Sequence, residues 1–306
     1  GSKQLSWVIK AYPVHKPGKR DRMQAEADFL RYSAKVAGGF TPTIVEIDHE
    51  RRCVVMEHIS GKAYPEGVSP PQKDIETALS FMRKLNDNLE LGKEMIHLDA
   101  ADGFLSLRQH MANINCRLAG METEHLPCLY KSQARELLHD LYKRAENIQM
   151  NVEIKITSGQ VKDTLDPNDL CISPSDFGFH NAIRAGNSIK FIDFEFAGWD
   201  DPAKTCVDFV LQQRNPICLP PQRIASKLFP RREAQIAARI GTLYEILRLK
   251  WLCIILGILN PPRLDQMIES GCAANPESAV VIQLKRYHEY IDHLRSKNTF
   301  AKKFQT

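Results

Sequence analysis

The stretch that most constrains this chain runs from residue 171 to 209, where Asp176, Asn181, Asp193 and Glu195 carry the chemistry. Ile189 to Ile192, apolar but for Lys190, predicts a strand. Alternate residues of an extended chain share a face, so Asp193 and Glu195 are expected to project the same way at its end. Two carboxylates so placed repel each other unless a cation lies between them. Magnesium suits that position, because it takes oxygen from one or two carboxylates and completes its shell with water and phosphate oxygens. Ala182–Arg184 pairs with Ile189–Phe191 across the turn of Ala185, Gly186, Asn187 and Ser188. This hairpin brings Asn181 back beside Asp193. Asp176 lies five residues before Asn181, on a loop containing Pro174 and Gly178. It can face the same ion without binding it, which is the place for a base that takes a proton from a hydroxyl.

Asp-x4-Asn alone arises often by chance. Followed by a short hairpin and Ile-Asp-Phe-Glu-Phe-Ala-Gly-x-x-Asp-Pro, it resembles the catalytic core of the aminoglycoside phosphotransferase and choline kinase-like families. These are small-molecule kinases with a protein-kinase-like fold. The resemblance implies an α+β, bilobal fold: a small antiparallel-sheet lobe at 1–62 for the nucleotide, and a large, mainly helical catalytic and substrate-binding lobe at 63–306. It also implies transfer of the γ-phosphate of ATP, or of GTP, to a hydroxyl of a small molecule. Asp176 would orient and deprotonate that hydroxyl, Asn181 and Asp193 would hold Mg2+, and Glu195 a second ion or a metal-bound water. The family pattern has His-Gly before the catalytic aspartate, where this chain has Pro174-Ser175. That histidine generally braces the loop, so activity is expected to survive its absence. His180 reads as a packing or loop-bracing residue.

Toward the N-terminus, Leu5 to Tyr12 predicts a strand with Trp7 and Ile9 on one face and Val8 and Lys10 on the other. A lysine in an apolar strand is ordinarily an edge residue reaching water. Here Val-Ile-Lys resembles the kinase strand whose lysine holds the nucleotide's α- and β-phosphates. A helix is expected from Asp21 to Val36, with Ala25, Phe29, Leu30 and Ala34 on one face. By resemblance, Glu26 on that helix pairs with Lys10; Asp28 is a shorter competitor. Strands at Thr43–Ile47 and Cys53–Ile59 follow, and the second runs into Ser60-Gly61. The resemblance makes Glu57, His58 and Ile59 the hinge against which adenine lies. The family's glycine-rich hairpin normally precedes the lysine strand, and the nine residues before Lys10 contain none. The lobe is therefore expected to lack its first hairpin, whether in this chain alone or in the native protein.

Beyond the proline-rich crossing at 65–72, helices are expected at 74–89, 103–119 and 130–149, then a mixed stretch at 150–170. Asp201-Pro202 reads as a turn, and Asp208 as a residue that caps or braces the catalytic loop. Helices at 232–259 and 278–297 complete the chain. The apolar run Trp251–Leu259 is too short to span a bilayer and reads as core helix. Eight cysteines without Cys-x-x-Cys or zinc spacing read as reduced thiols of a cytoplasmic protein. The net charge of +4 is small and scattered, so neither nucleic acid nor membrane is expected as a partner, and no oligomeric state is implied. The densest basic cluster, Lys16 to Arg22, reads as a solvated loop and helix start.

The acceptor is less constrained. The C-terminal third offers Glu233, Tyr244, Glu245, Trp251, Asp265 and Glu269 against Arg231, Arg232, Arg239, Arg248, Lys250 and Arg263. That balance disfavours a polycation and slightly favours a neutral or anionic, sugar-like acceptor, with aminoglycosides and amino alcohols still open. The rival from another class is an inactive pseudokinase acting as a binding or scaffold protein. It is supported by the absent glycine-rich loop and opposed by the intact Asp176, Asn181, Asp193 and Glu195. A protein kinase is disfavoured, because His-Arg-Asp and Ala-Pro-Glu do not occur. Asp176-Phe177-Gly178 could be the metal triplet only in a register with Asp163 and Asn168 as base and asparagine, which leaves no hairpin between.

Overall fold

The structure is a computed structural model that describes residues 6–303. In chain order the elements are β1 (Trp7–Ala11), α1 (Arg22–Val36), β2 (Ile44–Asp48), β3 (Cys53–Glu57), β4 (Lys62–Ala63), α2 (Gln72–Lys84), α3 (Leu89–Met95), α4 (Leu107–Ala119) and α5 (Cys128–Thr157). There follow β5 (Cys171–Ser173), β6 (Ala182–Ala185), β7 (Ser188–Phe191), β8 (Gly198–Asp200), α6 (Pro202–Leu211), α7 (Pro221–Leu228), α8 (Glu233–Ile255), α9 (Pro261–Glu269) and α10 (Pro276–Lys303). The fold is α+β, as expected. The chain divides into two compact units. One comprises the residues up to Leu105 with Leu165–Ile240, the other Ser106–Thr164 with the residues from Gly241 onward.

The first unit contains every residue assigned to the site. Its first sheet is antiparallel in the order β1-β3-β2, with Lys10 opposite Val54. β1 is an edge strand paired along one side only, and Trp7, Val8 and Ile9 are all exposed. The expected start of this strand at Leu5 lies outside the described residues. Beneath the sheet Tyr12, Met23, Val54 and Met56 form a small core, with Ile44 and Ile47 packed on it. Asp21 caps α1 by accepting the Gln24 N–H at 3.2 Å. The β6–β7 hairpin has the expected register, Ala182 opposite Phe191 and Arg184 opposite Ile189. The Gly186 φ of 62° provides the left-handed turn.

Around the hairpin, aromatic rings fix the loops that carry the charged residues. Phe81 of α2 contacts Phe191 at 5.2 Å, Phe177 at 5.7 Å and Phe194 at 6.1 Å between ring centres. Phe194 stacks on Phe29 of α1 at 4.5 Å. Phe177 follows Asp176, and Phe194 lies between Asp193 and Glu195. Each buried ring therefore anchors the backbone of its charged neighbours.

Helix starts account for most of the differences from expectation. Asp201-Pro202 is the N-terminus of α6 rather than a free turn. Asp201 accepts the Ala203 N–H at 2.7 Å, and Pro202 occupies the first helical position, where its missing N–H costs nothing. The helix expected at 74–89 ends at Lys84, and Asn88 caps the next one, Leu89–Met95, by accepting the Leu91 N–H at 3.1 Å. In the second unit, a capping box at Ser106 and Gln109 starts α4, and α5 continues to Thr157, past the expected end near 149. Ala145 and Val152 of α5 are both buried, so its apolar face continues into the stretch read as mixed. No helix among the described residues is long and apolar enough to cross a membrane. The eight cysteines are free thiols.

Gly198 shows how tightly β8 is held. A Cβ there would lie 2.6 Å from the Asp99 carbonyl carbon and 2.7 Å from the Ala100 nitrogen. Both are backbone atoms tied to the strand, by the Ala100 N–H to the Trp199 carbonyl at 2.7 Å and the Trp199 N–H to the Leu98 carbonyl at 3.0 Å. Gly198→Ala is expected to destabilise the protein by about 1–3 kcal/mol, read as a lower midpoint in urea. An unchanged midpoint would show that the 98–100 segment yields freely.

Candidate active site

Lys10 is the centre of the charged cluster. Its Nζ lies 2.5 Å from Glu26 Oε2, 2.5 Å from Asp193 Oδ1 and 3.6 Å from Glu195 Oε2. The expected Lys10–Glu26 pair is present, and Glu26, not Asp28, makes it; Asp28 bonds to the Gln24 amide instead. Burial pulls the Lys10 ammonium down, but Glu26 and Asp193 outweigh it and hold it above its ordinary value. Tyr12, just past the end of β1 and two residues on from Lys10, donates its hydroxyl to Glu26 Oε2 at 2.6 Å. Burial and the Glu26 charge push the Tyr12 phenol far up, so it remains a donor. The other carboxylate oxygen of Glu26 accepts the Phe194 N–H at 3.2 Å. Glu26 is 1% exposed, and both of its oxygens are engaged.

Asp193 and Glu195 do face one place, by a route other than strand alternation. β7 ends at Phe191, and Asp193 has a φ of 67°, in the left-handed region. The two carboxylates converge through this turn. Carboxylate oxygens of Glu26, Asp193 and Glu195 all lie within 4.8 Å of one another. Three carboxylates face one lysine there, with Arg22 Nη1 3.1 Å from Glu195 Oε1 at the rim. Glu26 is already occupied by Lys10, Tyr12 and the Phe194 N–H, so the oxygens of Asp193 and Glu195 are the ones that fit a hard divalent cation.

Asn181 is tied to the same turn by its carbonyl, which accepts the Ile192 N–H at 2.9 Å. Its side-chain amide donates to the Asp176 carbonyl at 3.2 Å, leaving its oxygen available. Asp176 has a φ of 41° and Ser175 one of 43°. Together with Asp193 they put three of the five non-glycine residues of positive φ, among those described, into these two loops, which is where strained backbone tends to mark function. The Asp176 side chain is half-exposed, with His180 Nε2 3.6 Å from its Oδ1; His180 Nδ1 is buried without a hydrogen-bond partner. Behind the loop, a small cavity is lined by Met82, Ser173, Asp176, Lys204 and Asp208, among others. Lys204 is 1% exposed and pairs with Asp200 at 2.7 Å and Asp208 at 3.3 Å.

At the hinge, the Glu57 N–H donates to the Thr43 carbonyl at 2.9 Å and the His58 N–H to the Ser6 carbonyl at 3.2 Å. Two of the backbone donors assigned to adenine are thus engaged within the sheet. His58 is exposed and Ile59 half-buried.

The basic cluster at 16–22 is a solvated loop and helix start as expected, with Lys16, Lys19 and Arg22 exposed, except at Arg20. Arg20, half-buried, closes over the residues after Asp193. Arg20 Nε donates to the Glu195 carbonyl at 2.9 Å, and its other nitrogens to the carbonyls of Asp99 and Ala197. Arg22 also lies over the Phe196 ring, 5.0 Å from its centre. Nothing in the order of basic residues singles Arg20 out. Tyr12, by contrast, was within reach of a period-two reading from Lys10, and Lys204 of the i, i+4 spacing of Asp200, Lys204 and Asp208.

The fold is that of small-molecule kinases. The structure is similar to a spectinomycin phosphotransferase in complex with ADP and spectinomycin (TM-score 0.53, 12% identity, covering 97% of this chain and 88% of that one). It is similar to a Plasmodium vivax ethanolamine kinase (0.52, 12%, 97% and 76%) and to a Cryptosporidium parvum choline kinase (0.52, 10%, 96% and 83%). These belong to the two groups whose motifs residues 171–209 resemble, and at such identities the likeness is one of fold. No family model matches the sequence, and no curated protein matches it.

Proposed function

We propose that this chain is a phosphotransferase that moves the γ-phosphate of ATP to a hydroxyl of a small molecule. The observation that carries the reading is the convergence of Glu26, Asp193 and Glu195 on Lys10, on a fold shared with small-molecule kinases. Lys10, fixed by Glu26 and Tyr12, is the cation for the α- and β-phosphates. Asn181, Asp193 and Glu195 would hold Mg2+, which neutralises charge on the β- and γ-phosphates. Asp176 stands apart from Lys10 and is half-exposed, as suits a base that must meet an incoming hydroxyl. The hinge of Glu57, His58 and Ile59 would take the adenine, with contacts from Ile59 onward because the first two N–H groups are engaged. GTP is the alternative donor. For the acceptor, a sugar-like molecule is preferred over an aminoglycoside or an amino alcohol, on the balance of charge in the C-terminal third. The cytoplasm is the compartment where ATP and free thiols coexist.

The test is ATP consumption with panels of sugars, amino alcohols and aminoglycosides, with and without Mg2+, alongside melting curves with ATP and GTP. Mg2+-dependent turnover on one class supports the reading. A pseudokinase predicts a nucleotide-dependent melting shift with no turnover on any panel. No shift with any nucleotide would overturn the nucleotide site itself.

A further inference from the structure

Arg20 has no carboxylate partner among its hydrogen bonds. Its guanidinium is drawn into the protein to meet three backbone carbonyls: Glu195, Ala197 and Asp99. A half-buried cation that gives its donors to neutral carbonyls loses part of its hydration for the geometry that it enforces. The carbonyls belong to the turn that carries the metal-facing carboxylates and to the segment beside it. Glu26 grips the same turn one step earlier, through the Phe194 N–H. Arg20, just before the N-cap of α1, and Glu26 within the helix thus hold three backbone groups of that stretch, the N–H of 194 and the C=O of 195 and 197. The start of the helix is fixed by the Asp21 cap, itself paired with Arg52 at 2.7 Å.

We propose that Arg20 is a positioning residue for the metal-bearing turn: by tying the Glu195 and Ala197 carbonyls to the start of α1, it sets the direction in which Asp193 and Glu195 present their carboxylates to a divalent cation. This rests on the phosphotransferase reading. Arg22 is the contrasting neighbour, because it touches the turn through the Glu195 side chain and the Phe196 ring and leaves the backbone carbonyls alone. Lysine in place of Arg20 keeps the charge but has one nitrogen, which cannot span three carbonyls.

The test is calorimetric titration of ADP into wild type, Arg20→Lys and Arg20→Gln, once with Mg2+ and once with EDTA, at a temperature where circular dichroism shows each folded. In wild type, Mg2+ tightens ADP binding. In both variants the Mg2+-dependent gain is expected to fall by ~10–100-fold, the usual cost of losing a group that orients metal ligands, while binding in EDTA is unchanged. Amide exchange over residues 193–199 should quicken in the metal-free variants. If the variants melt lower but keep the full Mg2+-dependent gain, Arg20 is a fold staple only and the proposal is overturned. If wild type shows no Mg2+-dependent gain, the metal reading beneath it fails. A variant too unstable at one substitution is replaced by the other, since either loses the three-carbonyl clamp.

Discussion

Asp193→Ala is expected to abolish the rise in melting temperature that Mg2+ with ATP produces, while the ligand-free protein melts close to wild type. The two halves of this result come from the same cluster. Glu26, Asp193 and Glu195 converge on Lys10, with Arg22 at the rim, so the ligand-free site carries one negative charge in excess. Removing Asp193 takes away its repulsion with the other two carboxylates along with its contact to Lys10, and still leaves Lys10 paired with buried Glu26. The same removal takes away an oxygen ligand that the cation needs, and with it the linkage that stabilises the folded state. The left-handed backbone at 193 adds a small cost for alanine, which Asp193→Asn avoids while also removing the charge. Asp176→Asn provides the contrast. Asp176 is outside the Lys10 cluster, so the melting shift should persist while turnover falls by ~10²–10⁴-fold, the usual contribution of a positioned base. A shift that survives Asp193→Ala, or turnover that survives Asp176→Asn, would reverse those two roles or remove them.

How much of this was legible in the sequence follows from the range of each interaction. The hairpin and its register rest on short-range periodicity and turn residues and could be read directly, while the pairing of Lys10 with Glu26 came from the resemblance alone. The convergence of Asp193 and Glu195 was read correctly for the wrong reason: period-two alternation was invoked where a left-handed residue makes the turn. Arg20 was misplaced because it acts on residues as far as 177 positions away, and no local signal separates a clamp from a solvated charge. Phe177 and Phe194 carry no local signal of their role, yet their packing against Phe81 and Phe29 gives the charged loops their fixed footing. Asp201 was taken for a turn because the dipeptide Asp-Pro starts turns and helices alike. What decides is Arg239, whose Nε lies 2.8 Å from the buried Asp201 carboxylate.

Lys204→Met is expected to cost about 3–5 kcal/mol of stability, the usual penalty for breaking a buried ion pair from one side. Lys204 and Asp200 are each 1% exposed, and Asp208 approaches the same ammonium, so the substitution leaves two carboxylates without the cation they share, beside a small cavity next to the Asp176 loop. Burial pushes Asp200 up to about 6 even with Lys204 beside it, and the two carboxylates hold Lys204 charged. Without Lys204 the Asp200 carboxyl must rise further. The folded state then keeps a proton that the unfolded chain has already released, so stability falls as pH rises from the ordinary carboxylate range through the folded value. The defect of Lys204→Met should therefore be larger at pH 8 than at pH 5, read as the difference in urea midpoint from wild type at each pH. Asp200→Asn added to Lys204→Met should recover part of the loss and flatten that pH dependence, because asparagine still offers an oxygen to the Asp201 N–H, now bonded at 2.9 Å. A defect equal at both pH values would mean that the lost lysine matters through its packing rather than its charge.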